Sequence, residues 1–216
     1  MRPRDFLYVT TLLVVILVIW GISTRSPSMK KSSRNIQNFS GAEKATAVPK
    51  ISQPKCNLPK TCPLDHYAFS LKSGATNNVG PRICFDGKII MSGVRNNIGK
   101  GLNIVLVNAE NGTVEDFRHF DMYYGNPDDT LAFLKKIKPG TIVLVASFDD
   151  AATKMVDEIR DLFVGFGSSK VKDIKFRDTW VFAGAPGTKI KSPFEKSWLS
   201  VMRRPIYMEN GHRLLK

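Results

Sequence analysis

The pattern of apolar and polar positions divides the chain into three parts. Residues 6–22 form an apolar run without a charge. Residues 26–55 are rich in Ser, Lys, Ala and Pro and contain only scattered apolar positions, which is typical of a flexible stalk. From residue 56 onward, short apolar runs alternate with turn residues, and this alternation predicts a folded domain.

The alternating region predicts strands joined by tight turns. Asp86-Gly87 and Asn111-Gly112 are pairs that tolerate the positive φ angles of hairpin turns. The runs beside them are rich in β-branched and apolar residues, as in buried strands. The predicted strands cover 67–71, two short stretches within 83–91, then 102–107, 114–120, 141–147 and a last core strand at 179–183.

Two helices are predicted between these strands. Asn126 precedes a proline and two acidic residues, which is the usual composition of a helix start. Asp149-Asp150 is expected to cap a second helix, whose apolar stripe consists of Met155, Ile159, Leu162, Phe163 and Phe166. The fold class is therefore α+β, with mainly antiparallel β-sheets and two packed helices.

The distribution of charge argues against a nucleic-acid partner. The chain has 216 residues and a formal net charge of +13. Residues 1–55 carry +7, whereas residues 56–194 hold 18 basic and 15 acidic side chains, a net charge of +3. A nucleic-acid domain concentrates basic charge on its folded face, and this domain is nearly balanced.

The N-terminal segment, residues 1–25, is consistent with two kinds of targeting sequence. Its 17 uncharged residues lie between the lengths of a signal-peptide core and a spanning helix, and basic residues flank both ends. A cleaved signal peptide makes the protein secreted, whereas an uncleaved signal anchor makes it a single-pass type II Golgi protein. Either alternative limits membrane contact to this segment and places the remainder in an oxidising compartment.

Two asparagines are candidate glycosylation sites in such a compartment. Asn38 begins Asn-Phe-Ser within the stalk, and Asn111 begins Asn-Gly-Thr. For the second sequence, the preference of Asn-Gly for hairpin turns explains these residues better than glycosylation does.

The three cysteines favour a disulfide over a metal site. Five residues separate Cys56 from Cys62, which does not match the spacing of a zinc-binding pair. Cys84 completes the set, so one thiol is left over or pairs between chains.

No catalytic constellation is visible in the sequence, and neither enzymatic activity nor a cofactor or metal ion is expected. Asp149 and Asp150 are candidates for the general acid/base pair of a small hydrolase, but adjacent side chains at a strand end point in different directions. Arg177 and Trp180, with the carboxylate between them, form a combination that suits a sugar face. The alternative is a turn beside a core Trp.

Nine segments of residues 54–195, taken together, resemble the secreted cytokine-like family of interleukin-like EMT inducer and pancreatic-derived factor. They occur in family order: Cys-x5-Cys-Pro at 56–63, Ser-Gly-Ala at 73–75, Val-Gly-Pro-x-Ile-Cys at 79–84, Met-Ser-Gly-Val-x-Asn-Asn at 91–97, Gly-Lys-Gly-Leu-Asn-Ile at 99–104, Phe-Asp-Met at 120–122, Ser-Phe-Asp-Asp-x-Ala-Thr-Lys at 147–154, Phe-Arg-Asp-x-Trp-Val-Phe at 176–182 and Lys-Ser-Pro-Phe-Glu at 191–195.

The resemblance implies a compact β-β-α globule, the GG domain, over residues 56–195, followed by a divergent tail at 196–216. It implies a secreted signalling protein that binds a cell-surface receptor. It also implies a Cys56–Cys84 disulfide and an unpaired Cys62, because the family's fourth cysteine is absent. Cys62 is then available to form a homodimer.

A similar domain binds sugar in the stem of the enzyme that extends O-linked mannose. By that resemblance, the carbohydrate-binding candidates are Lys100, Asp149 and Arg177, to which the residue pattern adds Trp180. Lys100 stands where the relative has Arg, and a lysine cannot form the same bidentate contact. The alternative function is therefore a Golgi or extracellular carbohydrate-binding module.

Overall fold

The computed structural model describes residues 3–23, 54–63, 66–198 and 207–211. Almost all of the expected stalk, including Asn38, lies outside the described residues. The chain divides into two compact units, Met1–Pro49 and Lys50–Lys216. In the first unit, helix α1 covers Pro3–Ser23. In the described part of the chain, no helix has the length and apolarity that crossing a membrane requires.

The second unit is built from nine strands, two helices and three 3₁₀ turns among its described residues. The strands are β1 Ala68–Lys72, β2 Arg82–Phe85, β3 Lys88–Ser92, β4 Gly101–Asn108, β5 Val114–Phe120, β6 Thr141–Phe148, β7 Thr179–Gly184, β8 Glu195–Trp198 and β9 Tyr207–Gly211. The helices are α2 Pro127–Lys135 and α3 Asp157–Gly165, and the 3₁₀ turns are Lys55–Asn57, Gly93–Arg95 and Val171–Asp173.

The strands form two antiparallel sheets, and the predicted fold class is confirmed. The first sheet has the order β3-β2-β1-β9, and the second has the order β5-β4-β6-β7-β8. Alternate residues of the second sheet pack into two different hydrophobic cores, one on each face of the sheet. Val105 and Leu144 pack toward the first sheet, whereas Ile104 and Val145 pack toward the helices. The unit is therefore a β-β-α arrangement with the second sheet in the middle.

Both predicted hairpins form. Asp86 and Gly87 connect β2 to β3 with φ angles of 45° and 84°. Gly112 has a φ of 72° in the turn between β4 and β5. The side chain of Asn111 is exposed in the same turn, where its Oδ1 accepts the Thr113 N–H at 2.9 Å.

The first predicted helix start is confirmed, and the second is wrong. Asn126 Oδ1 accepts the Asp128 N–H and caps α2. Asp150 caps a turn instead, because its Oδ1 accepts the N–H groups of Ala152 and Thr153. The chain then passes close to the segment before α2, and α3 begins only at Asp157. Asp150 is a side-chain cap, as predicted, but it closes a loop rather than a helix.

The expected tail, residues 196–216, supplies strand residues to both sheets. β8 begins at Glu195 and pairs with β7, and β9 pairs with β1. The predicted core strand at 179–183 is confirmed as β7, but two edge strands follow it that the sequence did not predict. Neither β8 nor β9 carries a long apolar run, so the hydrophobic pattern gave no strand signal there.

A disulfide joins Cys56 to Cys84, as the family resemblance implied. Their Cα atoms are 5.7 Å apart, and the bridge links the first 3₁₀ turn to β2. Cys62 is a free, half-buried cysteine that packs against the small cluster around this bridge. Burial raises the pKa of the Cys62 thiol, and the nearby Lys55 partly opposes that change.

Candidate functional site

Three of the four carbohydrate-binding candidates lie together at one end of the second sheet. Lys100 precedes β4, Asp149 follows β6, and Arg177 lies two residues before β7. Because these neighbouring strands are antiparallel, the starts of β4 and β7 lie at the same end of the sheet as the end of β6. Gly101 pairs directly with Phe148, and the pairing brings their neighbours Lys100 and Asp149 close together.

Lys100, Asp149 and Arg177 form what we call the charged triad. The Lys100 Nζ lies 3.2 Å from Asp149 Oδ2, and the Arg177 Nε lies 3.6 Å from Asp149 Oδ1. The carboxylate is 14% exposed, whereas the two cationic side chains are more than half exposed. Asp149 Oδ1 is buried and accepts no hydrogen bond in the described part of the chain. The triad therefore combines a recessed acceptor with two exposed donors.

The backbone of the triad is unusual at two positions. Asp149 has a φ of 61° and Arg177 a φ of 63°. Asp visits this left-handed region more readily than other residues with a Cβ, whereas Arg has no local side-chain compensation there. A turn fixes Arg177, because the Asp178 N–H donates to the Lys175 carbonyl and Asp178 Oδ2 accepts the Lys175 N–H. Such strained positions are concentrated at functional sites.

Trp180, the fourth candidate, was predicted wrongly as a residue that contacts sugar. Its side chain is 0% exposed and packs edge-on against Phe163, with ring centroids 5.1 Å apart. The indole Nε1 donates to Glu195 Oε1 at 2.9 Å. A ring enclosed by the core has no free face for a sugar, so Trp180 supports the site only from within.

Exposed aromatic rings lie beside the charged triad, and the sequence reasoning missed them. We call Tyr123, Tyr124 and Phe176 the aromatic ledge; their side chains are 42%, 82% and 49% exposed. The ring centroids of Tyr123 and Phe176 are 6.2 Å apart, and those of Tyr123 and Tyr124 are 4.5 Å apart. The available signal was an aromatic pair outside any strand pattern and a Phe directly beside Arg177.

The ledge and the triad form one continuous surface. The Arg177 guanidinium lies over the Phe176 ring, 5.1 Å from its centroid. On the other side, Gly101 packs so closely that a Cβ would lie 2.6 Å from the Met122 backbone nitrogen. The Met122 carbonyl accepts the Lys154 N–H at 2.7 Å, which joins this segment to the loop after Asp149. We call the combined area of triad and ledge the recognition surface.

Asp149 and Asp150 do not behave as an acid/base pair. Asp149 forms ion pairs with the triad cations, whereas Asp150 is buried and its Oδ1 caps the turn at Ala152 and Thr153. The two carboxylates therefore serve separate partners. Within the described ranges, the acidic, His and Cys side chains form no cluster that could hold a metal ion.

Comparison with known proteins relates the chain to one family. A sequence model of the family described as interleukin-like EMT inducer matches residues 100–188. The chain is 44% identical to Protein FAM3A of Homo sapiens over 187 residues, which is 86% of this chain and 79% of the relative. It is 45% identical to human Protein FAM3C over 78% of this chain and 74% of the relative. It is 44% identical to Protein FAM3D of Mus musculus, over 91% and 87%.

The chain belongs to the interleukin-like EMT inducer family. The family match begins at Lys100 and includes Asp149 and Arg177, so the whole charged triad lies inside it. The resemblance stated from the sequence is thereby confirmed. The aromatic ledge lies within the same matched range of the family domain.

Proposed function

We propose that the protein is a secreted, cytokine-like signalling protein that acts by binding a cell-surface partner. The observation that carries this proposal is the family relationship, which spans most of the chain in FAM3A and FAM3D. The Cys56–Cys84 disulfide supports it, because such bridges persist in oxidising compartments. The apolar N-terminal segment supplies a means of entering the secretory pathway.

The recognition surface is the proposed contact area for the partner. Exposed aromatic side chains and arginine are the residue types that contribute most to binding energy at protein interfaces. The ledge provides apolar area, and the triad next to it provides directed charge. The fold holds both on strand ends and short turns, so little conformational freedom is lost on binding.

Secretion is tested by expressing the full chain in cells and separating medium from membranes. We expect the protein in the medium, with residues 1–25 removed, when its N-terminus is sequenced. An intact N-terminus retained in Golgi membranes contradicts secretion and supports the type II anchor instead.

Partner binding is tested with the secreted protein, labelled and added to intact cells. We expect saturable binding that is lost when the cells are first treated with trypsin, because a protein receptor is cleaved. Binding that survives trypsin and disappears after glycosidase treatment contradicts a protein receptor and favours the second candidate.

The second candidate function is carbohydrate binding, favoured by the geometry of the triad. The Asp149 carboxylate is recessed between two cations but 14% exposed, and a carboxylate is an acceptor for a ligand hydroxyl. Lys100 and Arg177 supply donors, and the Phe176 ring supplies an apolar face for stacking. This replaces Trp180 with Phe176 as the stacking residue.

A glycan array with purified protein tests this second candidate. We expect binding to a subset of glycans, and we expect Arg177→Ala to abolish it. Lys172→Ala is the matched control, because it also removes one exposed positive charge. Lys172 pairs with Asp161 and is not part of the triad. Absence of binding to every glycan overturns the carbohydrate proposal.

We also propose that Cys62 can link two copies of the chain. It is the free thiol of the described residues and is partly accessible. Non-reducing electrophoresis of secreted protein should show a dimer that reducing agent and Cys62→Ser both remove. A dimer that persists in Cys62→Ser under non-reducing conditions contradicts this linkage.

A further inference from the structure

The turn between β4 and β5 contains a glycosylation acceptor sequence that the proposed function does not use. Asn111-Gly112-Thr113 matches Asn-x-Thr, the pattern that is modified on surface loops of secreted proteins. In the sequence, the hairpin preference of Asn-Gly is the alternative reason for these residues. Within this turn, however, Gly112 has a positive φ of 72° and Asn111 does not. The backbone conformation therefore accounts for the glycine and not for the asparagine.

The side chain of Asn111 presents its amide nitrogen to solvent. The residue is exposed, and its Oδ1 accepts the Thr113 N–H at 2.9 Å. Asp or Ser accepts the same local bond, so this contact does not require an amide. The Asn111 Nδ2 meets no hydrogen-bond acceptor among the described residues. Thr113 is exposed as well, so both side chains that define the acceptor sequence are accessible to an enzyme.

The turn packs against the domain on one side only. Tyr67 Oη donates to the Glu110 carbonyl at 3.1 Å, and a Cβ on Gly112 would lie 2.6 Å from the Tyr67 ring. The Asn111 N–H donates to Asn108 Oδ1 at 3.3 Å, which also orders the backbone. An oligosaccharide on the exposed Asn111 side chain therefore displaces no packed side chain.

Asn111 lies at the opposite end of the second sheet from the recognition surface. β4 begins directly after Lys100 of the charged triad and ends at Asn108, close to Asn111. This strand has eight residues, and an antiparallel strand rises about 3.4 Å per residue, so roughly 25 Å separates its two ends. A glycan attached this far from the triad leaves the recognition surface accessible to a partner.

We propose that Asn111 carries an N-linked glycan that projects from the end of the domain opposite the recognition surface. The donor is an oligosaccharide linked to a lipid through pyrophosphate. The reaction forms a bond between Asn111 Nδ2 and the anomeric carbon of the first sugar, and it breaks the bond from that carbon to the pyrophosphate. The amide loses one proton, and the lipid pyrophosphate leaves. This inference rests on the entry into the secretory pathway proposed above, because the transfer takes place in its lumen.

The test follows the glycan on the full chain expressed in animal cells. Asn38→Gln is used as the background, because it removes the acceptor sequence in the stalk. We expect PNGase F, which releases N-glycans, to lower the apparent mass of this protein. Thr113→Ala should abolish the shift, whereas the matched control Thr113→Ser should retain it, since serine preserves the acceptor pattern. Both variants keep the backbone N–H that Asn111 Oδ1 accepts.

Mass spectrometry places the modification at one residue. PNGase F converts a glycosylated asparagine to aspartate, so digestion in water labelled with heavy oxygen should leave the label at position 111. Spontaneous deamidation of Asn-Gly before the digestion introduces ordinary oxygen and is thereby distinguished from glycan release. Removal of the glycan under native conditions should leave saturable binding to intact cells unchanged. Altered binding by protein that circular dichroism shows to be folded overturns the placement away from the recognition surface.

The remaining outcomes distinguish this inference from the secretion on which it rests. Protein recovered from the medium that PNGase F does not shift in the Asn38→Gln background overturns the glycan at Asn111 and leaves secretion in place. A shift that persists in Thr113→Ala also overturns it, because the glycan is then attached elsewhere. Protein that stays in the cytosol without a glycan overturns both proposals.

Discussion

At the scale of single residues, Asp149 determines the geometry of the recognition surface. Its carboxylate is recessed between two exposed cations, and its backbone is left-handed. The conformation costs a residue with a Cβ roughly 1–2 kcal/mol, which Asp and Asn offset in part through local hydrogen bonds. The charge and the backbone conformation of Asp149 therefore make separate contributions to the stability of the fold.

Two substitutions at Asp149 separate these contributions. Asp149→Asn keeps a side chain that tolerates positive φ, so we expect it to lower the free energy of unfolding by less than about 1 kcal/mol, because its ionic partners are exposed. Asp149→Ala should cost about 1 kcal/mol more through backbone strain. Urea unfolding measures both. Equal stabilities of the two variants would contradict the role assigned to the backbone.

Glu195 is the residue that joins β8 to the core. Its carboxylate accepts hydrogen bonds from Ser168 Oγ, from the N–H and Oγ of Ser169, from the Lys170 N–H and from Trp180 Nε1. The side chain is buried, so the charge is stabilised by these donors rather than by water. The network also holds the turn that follows α3.

Glu195→Gln should destabilise the fold, because its NH₂ group would face donors. We expect the free energy of unfolding to fall by about 1–3 kcal/mol. Urea unfolding measures the loss, and the intrinsic fluorescence of Trp180 should shift when its indole N–H loses the carboxylate. Exposed Glu158→Gln on α3 is the control and should have little effect. Wild-type stability in Glu195→Gln would show that the network is dispensable.

At the scale of secondary-structure elements, local chemistry determined what the sequence could predict. β4 and β6 are runs of apolar residues, and the turns beside β2 and β5 contain residues that accept positive φ. β8 could not be predicted, because it is fixed by Glu195 hydrogen bonds that span 25 residues or more. Asp150 misled the helix prediction because a turn cap and a helix cap use the same local hydrogen bonds.

Gly101 at the start of β4 is a position where only glycine fits. Its φ is 94°, and a Cβ would lie 2.0 Å from the Phe120 carbonyl oxygen. Gly140 is a matched control, because its φ is 91° and no atom lies within 4 Å of its Cβ position. The two glycines share the left-handed backbone and differ in the space around them.

Substituting each glycine by alanine should therefore give different losses. Gly140→Ala should cost roughly 1–2 kcal/mol from backbone strain. Gly101→Ala should cost about 1–3 kcal/mol more, because the backbone beside it must move. Thermal or urea unfolding measures the difference. A Gly101→Ala variant no less stable than Gly140→Ala would contradict the close approach.

At the scale of the whole molecule, the two-sheet core and the disulfide stabilise the fold, and loops at the strand ends form the recognition surface. The charged triad was predictable because the resemblance to a sugar-binding stem domain pointed to its three residues. The aromatic ledge was not, because apolar side chains in a sequence read first as core, and only the structure separates exposed Phe176 from buried Trp180.

The free cysteine and the disulfide should differ in their chemistry. Because the pKa of Cys62 is raised by burial, less thiolate is present at neutral pH. In the fraction of protein that has not formed the Cys62-linked dimer, we expect iodoacetamide to alkylate Cys62 slowly at pH 7 and faster as the pH rises, with a midpoint above that of the urea-unfolded protein. Mass spectrometry should assign the label to Cys62 and an intact bridge to Cys56 and Cys84. A labelled Cys84 in native protein would contradict the pairing.

The assignment of the recognition surface is tested most directly by comparing how the secreted wild type and a double variant of this surface bind to intact cells. We expect Phe176→Ser/Arg177→Gln to lose saturable binding while circular dichroism shows an intact fold. Lys172→Gln should bind like the wild type. Undiminished binding of the folded double variant would contradict the assignment of this surface to recognition.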